Sequence, residues 1–247
     1  MSCPQRPCLF ANETQLGAMA TNPLLRLLRL LPLAALGVAL AGSSARASQP
    51  APTVEAPFLW KVEGATAPSY LFGTIHAGVS ASELPVRVGA AIAHSDLFIM
   101  ETAPAKAMQS TQRPQPMDLD LAQHAHRSGS RILTLETLQF QLDLLSKLGS
   151  QEEIAAMLGD QSDSSEIASI ADAYRTGDLN ALVSATGPAE PEMQEILLDS
   201  RNRRWTEKLA PVLGRGGAFV AVGAGHMAGP EGLLALLENR GFSVQRA

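Results

Sequence analysis

Four stretches of the chain share one pattern: a short apolar run, bounded by turn residues, that ends on a polar side chain. Ser69-Tyr-Leu-Phe-Gly-Thr-Ile-His76 ends on a histidine, and Asp96-Leu-Phe-Ile-Met-Glu101 on a glutamate. Arg131-Ile-Leu-Thr-Leu-Glu136 ends on a second glutamate, and Gly217-Ala-Phe-Val-Ala-Val-Gly-Ala-Gly-His226 on a second histidine. Runs of this length without alternation suit strands buried on both faces of a parallel sheet. Such sheets bind ligands beyond the carboxyl ends of their strands. The pattern therefore gathers His76, Glu101, Glu136 and His226 along one edge. Phe58-Leu-Trp-Lys-Val-Glu63 alternates instead, which predicts an edge strand paired antiparallel with Tyr70–Ile75 across the loop at 64–69.

Between the strands the apolar period changes to that of helices. Ser80-Ala-Ser-Glu83 has the form of a capping box, and Leu84, Val88, Ala91 and Ile92 form a stripe behind it, through about His94. Asp118–Arg127 reads as a helix stopped by Gly129, with His124 and His126 on different faces. Leu138, Leu142, Leu145 and Leu148 continue the helical spacing, followed by predicted helices at Gln151–Leu158, Ser165–Arg175 and Asp178–Ala185. The stretch from Thr102 to Pro116, rich in Pro and Gln, reads as a surface loop. Over Pro191–Leu213 the residues Leu197, Arg201 and Trp205 step by four along one apolar stripe, whereas Arg203, and less clearly Asn202, fall on the solvated side. A guanidinium buried on an apolar face needs a carboxylate partner, which Glu101 or Glu136 could supply; the alternative is that the Arg201 stem carries its head out to solvent. Pro230–Arg240 reads as a last helix and Phe242–Gln245 as a closing strand, a βαβ-type ending. The fold class that follows is α/β: a mixed, mostly parallel sheet flanked by helices, with a mainly helical insertion from about Thr137 to Leu213.

The start of the chain has a different character. Arg26 and Arg29, the apolar run Leu30–Ala41 and Ala45-Arg-Ala47 have the layout of a signal peptide covering residues 1–47, with Met19 an alternative start. Residues 48–57 then form a Pro/Ala-rich lead-in, and 58–247 a single domain. This places the mature chain in the periplasm or outside the cell, with no membrane span. Without residues 1–47 it keeps 15 basic against 23 acidic residues, a formal charge of −8. That balance argues against a nucleic-acid or anionic-membrane surface. Cys3 and Cys8 both lie in the removed segment, so the mature chain has neither thiolate ligand nor disulfide.

A single Gly-x-x-His is a weak signal, but here Gly73–His76 and Gly223–His226 each close an apolar strand. Two imidazoles with carboxylates and no thiolate suit a divalent ion such as Zn, Mn, Co or Fe with an open position for water. Ordinary strand-end histidines bonded to backbone would give the same pattern. The chain has no His-Glu-x-x-His, Gly-x-Ser-x-Gly or P-loop.

Taken together, Phe58-Leu-Trp-Lys-Val, Tyr70–His76, Leu135-Glu-Thr137 with Gln141, Gly177-Asp-Leu179, Arg201-Asn202 and Val222-Gly-Ala-Gly-His226 resemble the TraB/GumN family. That family includes pheromone-shutdown proteins and the Tiki proteases. The resemblance implies an erythromycin-esterase/ChaN-like fold and a metal-dependent hydrolase that cuts peptide or amide bonds, with a peptide or small molecule as substrate. It places His76, Glu101 and His226 as metal ligands; beside them Glu136 is expected as general base or as a carboxylate supporting the ligands, and Arg201 as a catalytic side chain. Asp118 looks like the Asp of the family's Gly-x-Asp, with Met117 before it. ChaN-like relatives bind haem, so the alternative is a non-catalytic metal- or haem-binding protein of the cell envelope. One departure stands out: the family's segment between the Glu101 and Glu136 positions is much longer than the Pro/Gln-rich loop found here.

Overall fold

A computed structural model describes residues 53–76, 78–102, 116–147, 164–186 and 190–247. The expected signal peptide, most of the Pro/Gln-rich loop and the helix expected at Gln151–Leu158 lie outside the described residues.

The six strands are β1 (Leu59–Val62), β2 (Ser69–Thr74), β3 (Leu97–Met100), β4 (Arg131–Thr134), β5 (Ala218–Gly223) and β6 (Val244–Arg246). They form one sheet in the order β4-β3-β5-β2-β1-β6. Pairing is parallel from β4 through β3 and β5 to β2, and antiparallel on both sides of β1. The sheet is therefore mixed and mostly parallel, as the apolar runs require. Phe219 on β5 stacks on Phe98 of β3 at 5.7 Å and lies 5.8 Å from Phe72 of β2, so aromatic rings knit the three central strands.

Two strands sit differently from expectation. β1 is an inner strand, because β6 covers its outer side through Trp60↔Arg246 and Val62↔Val244. β4 is the edge instead, and all four of its residues are exposed. Its run Ile-Leu-Thr reads as buried, but an end strand lacks a neighbour on one side, and sequence period does not record sheet position.

The helices are α1 (Val86–Ala93), α2 (Met117–Arg127), α3 (Leu138–Ser146), α4 (Ser164–Thr176), α5 (Leu179–Thr186), α6 (Pro191–Gln194), α7 (Ser200–Arg215) and α8 (Leu233–Glu238). The capping box at Ser80 is present, with Glu83 Oε1 accepting the Ser80 N–H at 2.9 Å, but it opens only a 3-10 turn. Pro85 forces Leu84 into the extended region, so the helix restarts at Val86. The long helix expected over Pro191–Leu213 is divided by a π turn, Glu195–Asp199, between α6 and α7. The last helix begins at Leu233 rather than at Pro230.

Gly73 lies inside β2, where a Cβ would stand 3.0 Å from Ala224 Cα, Ala224 Cβ and Phe58 Cβ. The close approach that requires glycine there is to the chain's own turn after β5. Tyr174 of α4 donates its hydroxyl hydrogen bond to the Gly73 carbonyl at 2.6 Å, and Arg175 reaches the Gly78 carbonyl at 2.7 Å and Glu83 at 2.9 Å. One turn of α4 thus clasps both sides of the segment that carries His76. Among the described residues no helix is long and apolar enough to cross a membrane.

Candidate active site at the carboxyl edge of the sheet

The strand order puts the four strand ends singled out by the sequence on neighbouring strands. Glu136 follows β4, Glu101 follows β3, His226 sits in the 3-10 turn Ala224–Met227 after β5, and His76 follows β2. The parallel ladder continues past the strands, where the Glu136 N–H donates to the Glu101 carbonyl at 2.8 Å.

Arg201 of α7 is the hub. It is 1% exposed, and Leu197, Leu198, Trp205 and Leu209 are buried with it on the same helical stripe. Its Nη2 donates to Glu101 Oε2 at 2.7 Å and to Glu136 Oε2 at 2.9 Å, and its Nε donates to Glu136 Oε1 at 3.0 Å. Nη1 donates to the Leu197 carbonyl at 2.8 Å and lies 3.3 Å from His226 Nε2. The predicted burial and carboxylate pairing of Arg201 are thus present, with both glutamates as partners. Arg203 is exposed, between Glu195 and Glu231. The carboxylates have further donors: the Gly223 N–H reaches Glu101 Oε1 at 2.8 Å, and Trp205 Nε1–H reaches Glu136 Oε1 at 3.0 Å.

Burial pushes the Glu101 carboxyl up to about 7, against the pull of Arg201 and the Gly223 N–H. His226 is fully buried, and burial first and Arg201 second hold its pKa well below the ordinary imidazole value. Its Nδ1 lies 2.6 Å from Asn202 Oδ1, and the Trp205 ring lies 4.3 Å away, centroid to centroid. His76 has the opposite balance. Burial works against its charged form, but the carboxylate of Asp118, aided by Glu101, outweighs that and raises its pKa. Asp118 is lowered in turn, because His76 outweighs its own burial. The His76 Nδ1 to Asp118 Oδ1 distance is 3.2 Å, yet Asp118 Oδ1 has no aligned hydrogen bond, so the contact is an ion pair rather than a good hydrogen bond. His76 Nε2 is buried with no partner, as are Thr74 Oγ1, Thr102 Oγ1 and Gln141 Oε1.

The site residues named from sequence do not all converge. Glu101, Glu136, Arg201 and His226 form one contact network, with His226 Nε2 3.7 Å from Glu101 Oε1. His76 bonds to none of them and pairs with Asp118. Among the described residues no three His, Cys, Asp or Glu side chains stand close enough together to hold one metal ion. The chemistry of the donors does suit a borderline divalent ion: a free Nε2 at His76, an Nε2 at His226 and the Glu101 carboxylate. Arg201 already holds a lone pair of Glu101 and of His226, so a cation competes with the guanidinium for both.

Asn202 corrects the sequence reading. It is 1% exposed rather than solvated, and its Nδ2 donates to the Glu231 carbonyl at 2.8 Å. Its place four residues after Leu198 and seven before Leu209 is the signal that could have found it. His124 and His126 lie apart from the site, with His124 Nε2 3.3 Å from the Gly89 carbonyl and His126 exposed.

No curated protein and no solved structure matches the chain. A family model does, over residues 58–115 and 102–246, a span that takes in every side chain of the network and both Gly-x-x-His turns. The chain belongs to the TraB/PrgY/gumN family.

Proposed function

We propose that this chain is an exported metal-dependent hydrolase of peptide or amide bonds, with His76, Glu101 and His226 as the metal-binding side chains. The observation that carries the reading is the treatment of the two histidines. Each ring has its Nδ1 set against a polar side chain, Asp118 or Asn202, which turns Nε2 the other way; at His226 that nitrogen faces Arg201, which a cation would have to displace. At His76 that nitrogen is buried and unpartnered, an expensive state that a bound cation relieves. A divalent ion would supply an acidified water as nucleophile. Glu136 accepts on both oxygens from Arg201, and on one from Trp205, which supports a role in holding the guanidinium rather than in moving a proton. Arg201 is the fixed positive charge beside any negative charge that develops on a substrate.

The burial of Glu101, Arg201 and His226, each 1% exposed or less, favours a second reading, a protein that binds an ion without processing a substrate. Metal content by mass spectrometry tests the site itself, using protein purified without a His tag. The expected result is about one ion per wild-type chain, lost in His76→Ala, Glu101→Gln and His226→Ala. Stoichiometric metal in both histidine variants overturns the metal reading. Loaded wild-type protein that leaves a peptide library uncut, with or without chelator, favours the second reading.

A further inference from the structure

We infer that Asn202 is a positioning residue that fixes His226 as its neutral Nδ1–H tautomer, so that only Nε2 carries a lone pair into the site. The chain of hydrogen bonds allows one direction of polarity. The Glu231 carbonyl can only accept, so the Asn202 atom 2.8 Å from it is the amide nitrogen. The Asn202 oxygen therefore faces His226 Nδ1, at 2.6 Å. An amide oxygen can only accept, so the proton lies on Nδ1. At the other end the argument runs independently. A guanidinium can only donate, and Arg201 Nη1 lies 3.3 Å from His226 Nε2, so that nitrogen must present its lone pair.

The carbonyl at one end and the guanidinium at the other thus agree on a single tautomer. A ring flip would set Cε1–H against Arg201 and Cδ2–H against the Asn202 oxygen, losing both contacts, and an amide flip would set two donors together at His226 and two acceptors together at Glu231. All the side-chain atoms of this relay are buried, so water is not at hand to repair a mismatch. Asn202 and Arg201 are consecutive on α7, and Glu231 lies in the segment between the 3-10 turn and α8. The relay thereby locks the second Gly-x-x-His turn to the helix that carries the guanidinium. The inference does not depend on a metal being bound, and it stands or falls apart from the proposed hydrolase activity.

The test is a long-range proton–nitrogen correlation spectrum of chelator-treated full-length protein carrying isotope-labelled histidine, with His226 assigned by its absence in His226→Gln. In the wild type, His226 shows one protonated nitrogen, at Nδ1, and one lone-pair nitrogen, at Nε2. Asn202→Leu removes the 2.6 Å acceptor and leaves only the longer 3.3 Å contact from Arg201, which is not enough to hold the tautomer, so the Nδ1–H signal is lost to the Nε2–H form or to an average of the two. Asn202→Asp keeps an acceptor oxygen and retains the Nδ1–H form. An Nε2–H ring in the wild type overturns the inference, as does an unchanged Nδ1–H ring in Asn202→Leu. If Asn202→Leu does not fold, the wild-type and Asn202→Asp spectra still decide, since Nε2–H in either is fatal to it.

Discussion

Arg201 shows how far one residue can be read from its place on a helix. Its position on an apolar stripe leaves two choices, a buried pair with a carboxylate or a stem that carries the charge to solvent, and the structure has the first, with two carboxylates. Arg201→Leu keeps the apolar face but strands both glutamates, so a loss of about 3–5 kcal/mol is expected in urea unfolding. Arg203→Leu, on the exposed side of the same turn, should stay within about 0.5 kcal/mol of wild type. Equal, small effects in the two variants would mean that the guanidinium is not a structural hub. His226 makes a pH prediction of definite sign. The unfolded ring gains its proton near pH 6.5, the folded ring only well below that. The unfolded state therefore binds more protons in that window, and the stability His226 contributes above about pH 6.5 is lost as pH falls. His76, whose pKa is raised, contributes stability below about pH 6.5 that is lost as pH rises through its folded value. His226→Gln removes only the first of these. Compared by urea unfolding in chelator, its stability relative to wild type should improve by on the order of 1 kcal/mol per pH unit below about pH 6.5. No change in that difference would show that the folded ring protonates normally. Asn202 marks the limit of such reading: its wheel position is ambiguous, and only contact with His226 and Glu231 gives its amide a direction.

At the scale of elements, strand ends were readable because each run is apolar up to the residue that leaves the sheet. Helix bounds were less so where local rules conflict, as at Pro85, which cuts the capping box off from the helix behind it. The clasp of α4 on the His76 segment could not be read from sequence. Tyr174 faces inward on its helix, but the acceptor of its hydroxyl, Gly73, is 101 residues away. Tyr174→Phe leaves that buried carbonyl without its side-chain donor and should cost about 1–3 kcal/mol. If His76 is positioned through this clasp, the variant also binds added zinc more weakly than wild type, by isothermal titration; unchanged affinity would limit Tyr174 to stability. At the end of the same helix Gly177 has φ of 71°, and a Cβ there would stand 1.9 Å from the Ala56 carbonyl oxygen. Gly177→Ala combines a left-handed backbone with a backbone clash, so thermal unfolding should show a loss of at least about 2 kcal/mol.

For the whole molecule, the expectation to test is a signal peptide over residues 1–47. Val54 packs into the core, buried and donating its N–H to the Glu83 carbonyl at 2.9 Å. Cleavage after Ala47 would keep every residue of the sheet, its helices and the Arg201 network in the chain. The expected intact mass of the protein from a periplasmic fraction is that of a chain beginning at Ser48; retention of residues 19–47 in that fraction would refute processing at this site. A chain expressed from Ser48 should unfold at the same urea concentration as the full chain, within about 0.5 kcal/mol.

The amino-acid sequence by itself determined the α/β class, the strands that end in His76, Glu101, Glu136 and His226, and the place of Arg201 on an apolar helical stripe. Each of these is a local matter: hydrophobic period says which way a side chain faces within its own element, and turn residues say where the element stops. Only the tertiary structure decided that β1 is covered by β6, that β4 is the edge, that Arg201 takes both carboxylates, and that Asn202 turns inward to His226. The physical reason is one of range. Hydrogen-bond partners are chosen by distances of about 3 Å between atoms that the chain separates by 24 to 100 residues. Those distances exist only once the order and register of the strands have set the elements side by side.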